Sequence, residues 1–247
     1  MRQCSLCLSQ VPNFLPLPDN LVRLFNRLEV DYSLEDFETL NVGQYSCPSC
    51  GAADRERLYA LFVRACLQWD GEQPMRILDI APAPALSHFL SGLAHVHYRS
   101  ADLCSPLADD QVDITDMALY ADASFDFILC SHVLEHVPDD AKAIAELYRV
   151  LAPGGAAILM VPILLGRDAT DEDPAVDDVN ERWRRFGQDD HVRMYAREDY
   201  LARLRRGGFE VLELDSATFG EGVFRQHGIT EQSVLYIGRK TESRNDG

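Results

Sequence analysis

Between residues 75 and 162, short apolar runs alternate with stretches in which apolar residues return every three or four positions, and this alternation restricts the fold more than any other feature. The runs are ILDI (77–80), HVHY (95–98), VDI (112–114), FDFILCS (125–131) and AAILMVP (156–162). Runs so short and so apolar suit strands buried on both faces, as in a parallel sheet. Leu86, Phe89, Leu90 and Leu93 keep helical spacing between them, as do Ile144, Leu147, Tyr148 and Leu151. Strand, helix and strand in succession predict a doubly wound α/β fold. Ligands bind such sheets beyond the carboxyl ends of the strands, and an acidic residue about 20 positions past the first strand commonly holds ribose hydroxyls. Asp79 lies at the carboxyl end of the first strand, one residue before its last, and Asp102 follows 23 residues later.

In order and separation, the strings ILDIAPAPALSHFL, SADL, DITDM and SFDFILCSHVLEHVPDDAKAIAELYRVLAPGGAAILMVP resemble the class I S-adenosylmethionine-dependent methyltransferases. The resemblance covers roughly residues 75–240, and its most specific pieces are SFDFILCSHVLEHVPD and ELYRVLAPGG. It implies a mostly parallel, seven-stranded Rossmann-like sheet and S-adenosyl-L-methionine as cofactor. Carried over residue by residue, it implies that Asp79 and the turn Ala81, Pro82 and Ala83 face the methionine part of that cofactor. Asp102, with Leu103 beside it, would hold the ribose. Asp113 and Ile114 would flank the adenine, and Cys130, Ser131 and His132 would line the floor beneath the sulfonium.

One departure from the family pattern is the turn after the first strand, glycine-rich in the family and here Ala81-Pro82-Ala83-Pro84-Ala85. Glycine tolerates positive φ and close approach, whereas proline holds φ near about −65° and lacks an N–H. Alanine still permits close approach and Pro84 suits a first helical turn, so a rigid variant turn is expected. Loss of cofactor binding is the alternative it leaves open.

Cys4 and Cys7 form one C-x-x-C pair, and Cys47 and Cys50 form a second within SCPSCG. Two such knuckles predict a closed four-thiolate zinc site with a structural role, since no coordination position is left for chemistry. Disulfides or free thiols are the other readings. The 39 residues between the pairs hold helical pieces near 21–28 and 34–40. After Gly51 a helix is expected to turn Leu58, Leu61, Phe62, Ala65, Cys66 and Trp69 toward the sheet, with Arg55, Glu56, Arg57 and Arg64 on its other faces. The pattern CPSCGAADRERLYALFVRA resembles the start of bacterial methyltransferases bearing a small cysteine-rich lobe. The expected organisation is a zinc-binding lobe over 1–53 and a methyltransferase domain over 54–247, with an acceptor lid at about 163–195.

The net charge of −17 disfavours a nucleic-acid partner, because binding a phosphate backbone needs clustered basic residues. MRQCSLCLSQVPNFL holds no secretory core, and the longest uncharged apolar run, 156–165, is too short to span a bilayer. A soluble cytoplasmic protein acting on a small-molecule acceptor, with no membrane partner, is the expectation; its oligomeric state is not legible.

His132-Val133-Leu134-Glu135-His136 matches the H-x-x-E-H of some zinc peptidases. It follows a buried strand directly, at the strand end that the methyltransferase resemblance requires, so the peptidase reading is set aside and His132 is kept as a catalytic candidate. Past Pro162 the periodicity breaks into DATDEDPAVDDVNE and RWRRFGQDDHVRMY. Acceptor specificity is expected there, with Trp183, Arg184, Arg185, Arg193 and Tyr195 as acceptor-binding candidates. Residues 182–206 carry eight arginines against four acids, so an anion-binding patch and a solvated helix face are both open. His191 is the candidate general base, with a structural histidine as the alternative. The expected activity is methyl transfer to oxygen or nitrogen of a small, anionic or sugar-like acceptor. A non-catalytic scaffold and a macromolecule methyltransferase are the rivals.

Overall fold

The computed structural model describes residues 1–28, 30–66 and 74–242. The expectations for Trp69 and for the side chain of Cys66 lie outside the described residues. In chain order the elements are β1 (Arg2–Gln3), β2 (Gln10–Val11), α1 (Asp19–Phe25), α2 (Asp54–Cys66), β3 (Met75–Ile80), α3 (Pro84–Ser91), β4 (Val96–Asp102), β5 (Asp110–Gln111), β6 (Phe125–Ser131) and α4 (Asp140–Val150). They continue as β7 (Leu151–Met160), β8 (Asp171–Glu172), α5 (Val179–Phe186), β9 (Arg193–Met194), α6 (Arg197–Arg206), β10 (Glu210–Leu214), α7 (Ser216–Phe219), α8 (Val223–His227) and β11 (Leu235–Arg239).

Two compact units are formed, each from interleaved segments. One comprises Trp69–Val161, Tyr200–Glu213 and Tyr236–Gly247; the other comprises Met1–Gln68, Pro162–Asp199 and Leu214–Leu235.

The first unit contains a seven-stranded sheet in the order β10-β11-β7-β6-β3-β4-β5, flanked by helices. β3 is the central strand of the parallel part, pairing β4 on one side and β6 on the other. Ile77, Leu78 and Phe127 to Leu129 are buried, which accounts for their continuous apolar character. Pro84 opens α3 at a position where its missing N–H has no helical partner, and Asp139 caps α4 by accepting from Lys142 N at 3.0 Å. β11 runs antiparallel to β7 and inserts between it and β10. α7 and α8 lie between β10 and β11 in the chain.

Strand positions shift in two places. β4 extends past Tyr98 to Asp102, and β5 occupies Asp110–Gln111 rather than the expected VDI. Val112 N still donates to Asp102 O at 3.0 Å, and beyond it Asp113 Oδ1 accepts from Thr115 N and Oγ1, both at 2.8 Å, in a local turn.

In the second unit, β1 and β2 form an antiparallel ribbon around the first cysteine knuckle. Leu6, Val11, Phe14, Leu17 and Phe25 are buried beside it. The buried face of α2 differs from the expected one. Leu58, Tyr59, Phe62 and Val63 are inside, Ala65 is exposed, and Glu56 and Arg57 are buried. α2 is held in this unit by Arg64, which donates to Ser5 O at 2.7 Å and Leu6 O at 2.8 Å, and by Arg57. Residues 162–199 are ordered rather than irregular. β8 pairs β9 antiparallel, α5 lies between them, and Leu164, Phe186 and Met194 form a small core with Tyr32, Phe37 and Val176.

Candidate functional site

In the sheet unit the register aligns Ile80 with Ala101 on one side and with Cys130 on the other. The residues that follow, Ala81, Asp102 and Ser131, therefore sit side by side along the carboxyl edge of the sheet, where ligands of parallel sheets bind. Asp79, fully buried, accepts from the Tyr98 hydroxyl at 2.8 Å, and Ser87 Oγ of α3 lies 2.7 Å from the same tyrosine oxygen. Burial, and then the negative charge of Asp79, pushes the Tyr98 hydroxyl pKa up, so it stays a proton donor. Ala81 adopts φ +52° and donates its N–H to Ala101 O at 2.8 Å. This is the left-handed geometry for which glycine is suited, reached here by alanine. Pro82 and Ala83 are half-buried and lead into α3.

Asp102 Oδ1 accepts from Cys104 N at 2.8 Å and Ser105 N at 2.7 Å, so its own turn engages that one carboxylate oxygen. Leu103 is exposed. Asp113 is exposed, and the hydrogen bonds from Thr115 hold its carboxyl below the ordinary range; Ile114 next to it is buried. Cys130 is buried, and burial pushes its thiol pKa up, so it lines the strand end as an inert neutral group. Ser131 is half-buried, and His132 takes φ +57°. His132 donates its N–H to Met160 O at 2.8 Å, and its Nδ1 lies 3.4 Å from buried Glu135. Two non-glycine residues with positive φ at the ends of neighbouring strands are the kind of backbone strain found at ligand sites. Residues 132–136 form a turn and not a helix, so the peptidase pattern lacks the helical face that would align its ligands.

The two cysteine knuckles repeat one backbone design. Leu8 N donates to Cys4 O at 2.9 Å and Cys4 N to Ser9 O at 3.0 Å; Gly51 N donates to Cys47 O at 2.8 Å and Cys47 N to Ala52 O at 2.9 Å. The residue after each second cysteine has positive φ, +62° at Leu8 and +77° at Gly51. Cys4 and Cys50 sulfurs are 3.7 Å apart, Cys7 and Cys47 are 3.9 Å apart, and all four lie within 4.8 Å of one another. A disulfide needs about 2.05 Å, whereas a tetrahedron with zinc–sulfur bonds of about 2.3 Å has edges of about 3.8 Å. The donor set fits a tetrahedral ion. Burial pushes Cys4 up to about 11, while at Cys7 the hydrogen bonds of Ser9 outweigh burial and bring the thiol down to about 7.

In the 162–199 segment, His191 is buried and its Nδ1 meets Phe186 O at 2.9 Å, at the carbonyl end of α5. Arg184 pairs with Glu181 at 2.6 Å, and Arg185 pairs with Asp171 at 2.6 Å and Asp173 at 3.3 Å. Arg193, buried, pairs with Glu172 at 3.1 Å and lies over the Tyr195 ring. Tyr195 is fully buried and Trp183 half-buried. The arginine run thus faces carboxylates from the acidic run before it.

Sequence reasoning missed Tyr98 and Ser87 as partners of Asp79 and placed Arg57 on a polar face. A buried strand-end carboxylate needs donors, so the Tyr98 hydroxyl one strand over was a readable signal; the burial of Arg57 had none.

A family model described as a methyltransferase domain matches residues 52–214. The 27-O-demethylrifamycin SV methyltransferase of Amycolatopsis mediterranei is 32% identical over 128 residues, covering 48% of this chain and 43% of that protein. The ubiquinone biosynthesis O-methyltransferase of Pseudomonas savastanoi pv. phaseolicola is 28% identical over 143 residues, covering 58% and 51%. The protein of the same description from Psychrobacter cryohalolentis is 32% identical over 66 residues, covering 27% and 26%. The chain thus aligns with between about a quarter and about half of the length of these curated relatives. Among solved structures, the CurJ carbon methyltransferase superposes with a TM-score of 0.50 at 15% identity, covering 76% of this chain and 54% of that one, a likeness of fold.

Proposed function

Because the chain belongs to the methyltransferase-domain family, whose model it matches over residues 52–214, we propose that it is an S-adenosylmethionine-dependent methyltransferase acting on oxygen or nitrogen of a small-molecule acceptor. The observation that carries this reading is the carboxyl edge of the sheet, where buried Asp79, strained Ala81 and Asp102 stand on adjacent strands. Asp79 and the Ala81-Pro82-Ala83 turn would hold the methionine end, Asp102 with Leu103 the ribose, and Asp113 and Ile114 the adenine. Cys130, Ser131 and His132 would close the floor. When bound, the cofactor supplies a methyl group already activated on a sulfonium sulfur, so these residues need only bind, orient and exclude water.

Cys4, Cys7, Cys47 and Cys50 would hold a structural zinc ion, which the knuckle geometry supports. The acceptor is assigned to residues 163–195, with Trp183, Arg184, Arg185, Arg193 and Tyr195 as the groups to test and His191 as the base. The pairing of Arg184 and Arg185 with the chain's own carboxylates weighs against an anionic acceptor held by those two. If His191 is the base, His191→Ala lowers kcat by about 10² to 10⁴ with cofactor affinity unchanged. Loss of stability with normal kcat assigns it instead to its Phe186 hydrogen bond.

Among the described residues no helix is long and apolar enough to cross a membrane. The deciding experiment is calorimetry with S-adenosylmethionine and S-adenosylhomocysteine, followed by transfer of a labelled methyl group to a panel of small phenols, amines and sugars. Absence of binding to both cofactor forms overturns the proposal in favour of a non-catalytic scaffold.

A further inference from the structure

Arg57 is fully buried, and among the described residues every hydrogen-bond partner of its guanidinium is a backbone carbonyl. Nε donates to His227 O at 2.7 Å, Nη1 to Tyr45 O at 2.9 Å and Ala52 O at 2.8 Å, and Nη2 to Gln44 O at 2.5 Å and Gly228 O at 3.0 Å. The Phe14 ring centroid lies 3.8 Å from the guanidinium carbon. Carbonyl dipoles satisfy the donors but carry no formal charge, and a buried cation is costly unless opposite charges lie near it.

The charge that answers it lies in the same unit. Asp54 acts on Arg57 first, and Cys4, Cys47 and Cys50 of the knuckles act on it in the same direction after Asp54. Four thiolates around one zinc ion carry a formal charge of about −2. The two centres also share an atom, for Ala52 O accepts from Cys47 N at 2.9 Å as well as from Arg57.

The other end of the guanidinium holds a distant part of the chain. His227 and Gly228 lie at the carbonyl end of α8, and Asn41 Nδ2 also donates to Gly228 O at 3.1 Å. His227 Nδ1 meets Gln3 O at 2.7 Å, and Arg2 donates to Arg225 O. Gly228 has φ +67°, and a Cβ there would fall 2.3 Å from Phe14, so the segment approaches as closely as glycine allows.

We propose that Arg57 is the counter-charge of the zinc–thiolate centre and that it makes the seating of residues 223–229 on the cysteine lobe depend on metal occupancy. The inference rests on the zinc reading of the four cysteines. Arg57 acts through the metal centre and the carbonyls it gathers, as a positioning residue.

The test uses the full-length, zinc-loaded protein. Zinc affinity is measured by competition with a chromophoric chelator, and amide hydrogen exchange is followed before and after stripping. In the wild type, stripping is expected to raise exchange in 223–229 together with the two knuckles. Arg57→Met is expected to lower zinc affinity by about ten-fold or more. Arg57→Lys should recover most of that affinity because it keeps the charge, while 223–229 stays fast-exchanging, since an ammonium does not reproduce the five-donor fork. A folded Arg57→Met protein with wild-type zinc affinity overturns the counter-charge. Unchanged exchange in 223–229 on stripping the wild type overturns the coupling, and this arm decides even if the Met variant does not fold. Protein that neither holds nor takes up zinc refutes the metal reading itself and this inference with it.

Discussion

The Tyr98 hydroxyl donates to the buried carboxylate of Asp79 at 2.8 Å across the β3–β4 pair, and Ser87 of α3 meets the same hydroxyl at 2.7 Å. A strand-end carboxylate is thereby tied to both the neighbouring strand and the helix that follows the turn, so the APAPA segment is anchored at each end. Removing the hydroxyl, as in Tyr98→Phe, withdraws a donor from a buried charge and is expected to cost about 1.5 to 3 kcal/mol of stability. Cofactor affinity should fall as well if Asp79 faces the cofactor. Urea denaturation reads the first effect and calorimetry the second; a variant as stable as wild type contradicts the role given to Tyr98.

Ala81 holds φ +52°, a conformation that costs an L-residue about 1 to 2 kcal/mol. Glycine removes that strain but adds about 0.5 to 1 kcal/mol of unfolded-state freedom. Ala81→Gly is therefore expected to be neutral or to stabilise by up to about 1 kcal/mol, while Ala81→Val destabilises by more than about 1 kcal/mol. Paired denaturation curves check the order.

Asp102 has one oxygen engaged by its own turn, and on the reading proposed above the other would take a ribose hydroxyl. Asp102→Ala should weaken S-adenosylmethionine binding by about 2 to 3 kcal/mol, the scale of charge-assisted hydrogen bonds to a ribose. Calorimetry on wild type and variant measures it, and equal affinities would put the ribose elsewhere.

Asp110 and Asp126 are among the carboxylates of the sheet unit that titrate below their ordinary value. At Asp110 the cause is the Arg99 hydrogen bond; at Asp126 burial opposes the shift and the hydrogen bonds of Arg76 outweigh it. A depressed native pKa gives stability that is present above the unfolded value and lost as pH falls through the native one. Urea midpoints should accordingly hold down to about pH 4 and drop below it. Arg76→Met should shrink that acid limb, because Asp126 then titrates nearer its unfolded value. An acid limb unchanged in the variant refutes the assignment.

The readable parts of this protein were those carried by short-range signals. Strand and helix periodicity from Ile77 to Met160 prescribed the parallel half of the sheet, since a side chain's face follows from its position within an element. The C-x-x-C spacings prescribed two knuckles, because Cys4 and Cys47 each close a turn with residues four and five positions later. Asp79 and Asp102 were legible for the same reason, as residues at or next to strand ends.

What neighbouring residues do not encode was decided by packing. Arg57 reads as polar surface until Gln44, Tyr45, Ala52, His227 and Gly228 bring carbonyls to it from as far as 171 positions away. The arginine run after Pro162 reads as an anion patch until Asp171, Glu172 and Asp173 fold back against Arg185 and Arg193 through the β8–β9 ribbon. VDI reads as a strand, but the ladder ends with Val112 donating to Asp102 O, and Asp113 turns with Thr115 instead. In the first two cases the burial or pairing of a charged or polar group depends on partners distant in sequence, which only the folded chain assembles. Apolar periodicity records which face is buried and is silent about which carbonyl or carboxylate will be waiting there.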